Sequence, residues 1–101
     1  MTNPRPLTKD EQNLMEFYSS CPLGMTPQRF RSKWSFTYEQ IALICNRSVS
    51  QVRFWFARGR NYRRPTANDL RHLALMDFLL EHNDDIPPAL LALLCSPHRD
   101  E

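Results

Sequence analysis

The chain has 101 residues, a formal net charge of +2, and 42% hydrophobic and 24% charged residues. That is room for one small domain with a single modest core, residues 1–101, and not for two. With 2 Gly it is poorly suited to Gly-rich phosphate loops or hairpin-dense β folds, and no run of about 18 apolar residues exists to span a membrane.

Met1–Arg5 is polar and Pro-rich, so no secretory leader is expected. From there the apolar spacing is helical throughout, which predicts an all-α domain of five to six helices. Thr8 caps a first helix, with Glu11 as its capping-box partner, and Leu14, Phe17, Tyr18 and Cys21 follow at helical spacing. Pro22 and Gly24 end it. Thr26-Pro27 starts a second, short helix in which Phe30 and Trp34 share one face, expected to be core, with a ligand surface as the alternative. Thr37 with Gln40 starts a third, stapled by Phe36 and Ile41, and Ile41, Ala42, Ile44 and Cys45 form its buried face. Asn46 stands at the turn, where Asn tolerates the left-handed conformation.

Ser48 with Gln51 starts the fourth helix, and Val52, Trp55 and Phe56 are its apolar face. Gly59 is its expected stop. Arg60 to Pro65 then reads as a basic extended arm. Thr66 with Asp69 opens a long fifth helix to about His82. Asn83-Asp84-Asp85 breaks it, and Pro87-Pro88 starts a last helix through about Leu94.

Charge is unevenly spread along these elements. Residues 28–64 carry nine Arg or Lys against Glu39 alone, a balance of +8, flanked by −1 in residues 1–27 and −5 in residues 65–101. Such polarisation suggests a polyanion for the middle of the chain. A solvated basic face is the plain alternative for charge taken alone. Glu39 reads as a favourable charge in the first turn of its helix.

The segment TYEQIALICNRSVSQVRFWFARGR resembles a helix-turn-helix over residues 37–60. Such units carry a small residue on the first helix, here Ala42, a turn residue about four later, here Asn46, and an aliphatic residue ten after the Ala, here Val52. The run Gln51-Val52-x-x-Trp55-Phe56-x-x-x-Arg60 is similar to the third helix of homeodomains. The pattern departs from theirs at Arg58, where they carry an adenine-reading Asn, and at Arg47, where they carry an apolar turn residue. The rhythm of Ser48, Val52 and Trp55 also looks like the N-terminal helices of MerR-like small bacterial regulators. The resemblance implies that the fourth helix enters the major groove of double-stranded DNA.

With Val52, Trp55 and Phe56 turned inward, Val49, Ser50, Gln51, Arg53 and Phe54 are the candidates for reading bases. Two uses are open to Gln51, an adenine edge or the capping box of Ser48. Two placements are open to Phe54, outward on a sugar or thymine methyl, or buried against the fifth helix. Arg47, Arg58, Arg60, Arg63 and Arg64 are the candidates for holding phosphates. The arm at 60–65 either enters the minor groove or follows the backbone. Tyr62 within it either meets DNA or packs the arm on the helices.

The C-terminal helices, residues 66–95, carry Leu70, Leu73, Leu75, Met76, Phe78, Leu79 and Leu80, then Leu90, Leu91, Leu93 and Leu94. This stripe is wider than one face needs, so Leu79, Leu90 and Leu94 are candidates for homodimer contacts. The alternative is a monomer whose last helices complete the core.

The function expected is sequence-specific binding of double-stranded DNA by a small transcriptional regulator, a homodimer, cytoplasmic and nucleoid-associated. An adaptor or antitoxin working through the apolar C-terminal helices, and an RNA-binding protein using Phe54 and Tyr62, are the alternatives. No Ser/His/Asp or paired-carboxylate constellation stands out, so an enzyme is not expected. The 3 Cys lack CxxC spacing, and the 3 His show no ligand pattern with them. Neither a disulfide framework nor a metal or other cofactor is expected, and Cys21 and Cys45 read as small core residues.

Overall fold

Every helix start read from the sequence heads a helix in the computed structural model, which describes residues 4–20 and 22–94. The six α-helices are α1 (Lys9–Ser20), α2 (Pro27–Lys33), α3 (Tyr38–Cys45), α4 (Val49–Phe56), α5 (Ala67–Glu81) and α6 (Pro88–Leu94). Short 3₁₀ turns lie at Gly59–Asn61 and Asn83–Asp85. The described residues contain no strand, and no helix among them is long and apolar enough to cross a membrane. Cys21, Cys95 and His98 lie outside the described residues.

The caps explain why such short helices hold. Thr37, Ser48 and Thr66 each accept a hydrogen bond from the N3 backbone N–H, and Gln40, Gln51 and Asp69 each accept one back from the N-cap N–H. Thr8 and Glu11 make the same reciprocal pair at α1. Each box satisfies two of the four donors that a helix start leaves unpaired and contributes about 1 kcal/mol. Helices of seven or eight residues are not stable alone, so packing completes the work.

That packing is the contact of α3 with α4 and α5, and of α2 with the same two helices. Phe30, Ile41, Val52 and Leu73, one from each of the four, have no exposed surface. Burying such side chains supplies roughly 2 kcal/mol apiece. Phe36 meets Phe30 edge-on with ring centroids 5.2 Å apart, as a staple residue should. Trp34 is half-buried and donates its indole N–H to Asp77 Oδ1 at 3.0 Å. Cys45 is buried, and burial, then the nearby Asp69 charge, pushes its thiol up to about 11.

The ends behave differently. Helix α1 buries no residue, and Leu14 and Phe17 are 68% and 65% exposed. Its apolar face is therefore an open surface. Arg71 touches it, donating to the Tyr18 hydroxyl at 3.2 Å. Helix α6 likewise buries nothing, with Leu93 72% exposed. On α5, Leu73 is buried while Leu75 and Phe78 face outward. The wide apolar stripe thus splits between a side packed on α2 and α3 and a side on which Leu75 and Phe78 remain exposed.

Candidate nucleic-acid interface

Helices α3 and α4 are joined by three residues, Asn46 to Ser48. Asn46 adopts the left-handed conformation at φ 56° and ψ 51°, and its N–H and that of Arg47 both turn back to Ala42 O. Ala42 and Val52 are buried where the two helices meet. This brings the small residue, the turn residue and the aliphatic residue singled out by their spacing into one packed corner.

The outer face of α4 carries Ser50, Gln51, Arg53 and Phe54, all exposed. Phe54 stays outward at 42% exposure, so the rotation that would bury it against α5 does not occur. Val49 is half-buried and packs against the core, which leaves it less surface to offer than its neighbours. Gln51 serves the cap: its Oε1 accepts from the Ser48 N–H and hydroxyl, and its Nε2 remains able to donate.

The basic residues divide into engaged and open ones. Lys33 pairs with Asp77 and Glu81, which raises its ammonium pKa and holds the Asp77 carboxyl low. Arg31 donates to Phe36 O at 3.0 Å and lies over Tyr38, itself stacked on Phe56. Arg47 is committed as well. Its Nε donates to Asp69 Oδ1 at 2.9 Å and its Nη2 to Asp69 Oδ2 at 3.3 Å. Burial pushes the Asp69 carboxyl up, but Arg47 and the Thr66 N–H and hydroxyl together hold it below its ordinary value. Arg47 thus fixes the α3–α4 turn to the start of α5 instead of standing free at the surface. Arg53, Arg58, Arg60, Arg63 and Arg64 are exposed and have no carboxylate within ion-pair distance among the described residues.

The arm is shorter and more fixed than its sequence suggests. Helix α4 ends at Phe56, three residues before Gly59, and Gly59 adopts φ +66° inside the 3₁₀ turn. The extended part begins at Tyr62. Arg63 N–H donates to Phe54 O at 3.0 Å, and Pro65 is buried, so the strand of chain is strapped to the end of α4. The Arg63 guanidinium donates to Arg60 O and Tyr62 O and sits 5.7 Å from the Phe54 ring centre. Tyr62 is 43% exposed and is not what anchors the strap.

Between α4 and the strap lies a cleft of about 340 Å³. Gln51, Phe54, Arg63, Arg64 and the Arg47–Asp69 pair line it. Sequence reasoning missed Asp69 as a member of this surface, because its box with Thr66 accounted for it and its pairing with Arg47 spans 22 residues. Leu79 and Leu90 are half-buried and Leu94 is exposed, away from this face in sequence and on α5 and α6. His72 and His82 are exposed.

Comparison with known protein families, characterised proteins and solved structures gives no match.

Proposed function

We propose that α3 and α4 form a helix-turn-helix, and that the protein binds double-stranded DNA sequence-specifically as a small transcriptional regulator. One observation carries this reading. Five exposed arginines with no carboxylate within ion-pair distance among the described residues, Arg53 on the outer face of α4 and Arg58, Arg60, Arg63 and Arg64 after it, accompany Ser50, Gln51 and the aromatic Phe54. Solvated basic faces usually mix in acids, and here Asp69, the acid beside this face, is spent on Arg47.

In this arrangement Ser50, Gln51 through its Nε2, Arg53 and Phe54 address base edges, with Val49 at the margin. Arg58, Arg60, Arg63 and Arg64 hold phosphates and set the register. Arg47 keeps the turn in place. A homodimer, with Leu79, Leu90 and Leu94 at its contact, would present two such faces to a two-fold operator.

The test is selection of binding sites from random duplex DNA at physiological salt. Enrichment of a defined motif is expected. Binding without a motif that vanishes as salt rises sinks the sequence-specific claim.

A second reading is favoured by the open apolar faces of α1 and α6, which suit a protein partner better than DNA does. In that case the chain is an adaptor or antitoxin. Replacement of Arg53 and Arg58 by Ala would then leave function intact, while Leu90→Asp with Leu94→Asp would abolish it.

A further inference from the structure

We infer that the cleft between α4 and the strap is a site for one nucleotide, its base stacked between Phe54 and the Arg63 guanidinium and its phosphate held by Arg64. The inference rests on reading this face as a nucleic-acid surface, and it gives Gln51, Phe54, Arg63 and Arg64 a second use, on a base outside the duplex stack.

The cleft measures about 340 Å³. That is at the lower end of the roughly 300–1,000 Å³ of small-molecule sites, which suits a ligand of nucleotide size. Its chemistry is divided in the way a nucleotide requires. Phe54, 42% exposed, lines it with an aromatic ring. Aromatic faces at such positions stack bases without regard to sequence. Gln51 Nε2 is a free donor beside that ring, because its Oε1 alone serves the Ser48 cap. Arg63 and Arg64 supply positive charge with no carboxylate partner among the described residues. Asp69 lies in the same cleft, but its charge is answered by Arg47, so it does not repel a phosphate as a free carboxylate would.

Arg63 fixes where a base would enter. Its guanidinium carbon is 5.7 Å from the Phe54 ring centre. A planar base between guanidinium and ring needs about 7 Å, two carbon contacts of ~3.5 Å each. An outward movement of about 1.3 Å, from 5.7 Å to ~7 Å, by a side chain held only through carbonyls at the surface is enough. The backbone need not move, since the Arg63 N–H stays bonded to Phe54 O. The base would then be sandwiched between an aromatic ring and a guanidinium, as unstacked bases are in nucleic-acid sites.

The nucleotide has two sources, a free mononucleotide or an unpaired nucleotide in a DNA strand, and two arms of one experiment separate them. In the first, the full chain is titrated with deoxyadenosine monophosphate while NMR follows the Trp55 indole and Arg63 Nε signals. In the second, fluorescence anisotropy compares a duplex of about 20 base pairs with the same duplex carrying one unpaired adenosine. Saturable shifts in the first arm, about tenfold tighter binding of the interrupted duplex in the second, or both, are expected. Phe54→Ala removes the effect and Phe54→Tyr, which keeps the ring, retains it. Phe54 is outside the core, and circular dichroism verifies that both variants fold.

Shifts without a duplex preference assign the cleft to a free nucleotide, and a preference without shifts assigns it to the strand. Equal binding of both duplexes with no mononucleotide shift overturns the inference and leaves the DNA reading standing. Mononucleotide binding with no duplex binding at all does the reverse.

Discussion

Arg47 and Asp69 hold each other in a two-pronged contact, Nε to Oδ1 at 2.9 Å and Nη2 to Oδ2 at 3.3 Å, across 22 residues of chain. Asp69 is also the capping-box partner of Thr66 at the start of α5, accepting from the Thr66 N–H at 2.8 Å and its hydroxyl at 2.9 Å. One carboxylate therefore starts a helix and ties the α3–α4 turn to it. The placement of α4's outer face depends on that tie.

Asp69→Ala should accordingly lower stability by about 2 kcal/mol, the sum of a lost cap and a lost charge-assisted hydrogen bond. Urea denaturation measures it through the midpoint. Arg47→Ala acts differently, because it leaves a carboxylate with 2% exposure and no counter-charge. Its signature is a rise in the Asp69 pKa, read by NMR of the carboxyl carbon. An unchanged pKa in Arg47→Ala would mean that the Thr66 donors alone hold the charge.

The pH dependence follows from the directions of these shifts. Asp69 and Asp77 are held below the ordinary 3.8 when folded, Asp69 by Arg47 and Thr66 against its burial and Asp77 by Lys33 and Trp34. Their contribution is present above the unfolded value and is lost as pH falls through the folded one. Cys45 is pushed from 9.0 up to about 11 by burial. An unfolded chain therefore sheds that proton first, and stability falls as pH rises from about 9 toward 11. Urea midpoints should be flat between pH 5 and about 8 and lower at pH 3 and pH 10. Cys45→Ala should flatten the alkaline limb.

Much of the fold could be read from the sequence because its signals are local. A Thr or Ser followed three residues later by Gln, Glu or Asp marks helix starts at Thr8, Thr37, Ser48 and Thr66, and each box forms. The outward face of α4 was legible from Val52 and Trp55, four and seven residues after Ser48. What was not legible is long-range. Arg47 resembles a free surface arginine until Asp69 is brought beside it. The arm resembles an extended tail until Arg63 N–H meets Phe54 O. Helix α1 has the apolar spacing of a core helix, yet the core closes without it. Periodicity reports that a face is apolar, and not whether anything in the same chain covers it.

The core itself should be unforgiving at its corner. Val52 is fully buried where α4 packs, and Val52→Ala should cost about 2 kcal/mol. Gly24 lies at a close approach: a Cβ there would stand 3.1 Å from Leu70 Cβ, beside the bond from Met25 N–H to Leu70 O at 3.0 Å. Gly24→Ala should cost about 1 kcal/mol, since α5 must give way slightly. Gly59 has open space around it but φ +66°. Gly59→Ala should therefore also cost about 1 kcal/mol, through backbone strain alone. Thermal unfolding by circular dichroism ranks the three.

The final expectation concerns affinity and salt. If Arg58, Arg60, Arg63 and Arg64 each neutralise a phosphate, log affinity should fall with log salt at a slope of about −4. Single replacement of Arg58 or Arg60 by Ala should reduce the slope by about 1 and weaken all sequences alike. Arg47→Ala should leave the slope nearly unchanged, because its guanidinium is bound to Asp69 and releases no counterion. It should weaken binding only as far as the α4 face loses its position. Fluorescence anisotropy on one duplex from 50 to 300 mM salt separates these outcomes. A loss of slope in Arg47→Ala equal to that in Arg60→Ala would show that Arg47 leaves Asp69 for DNA.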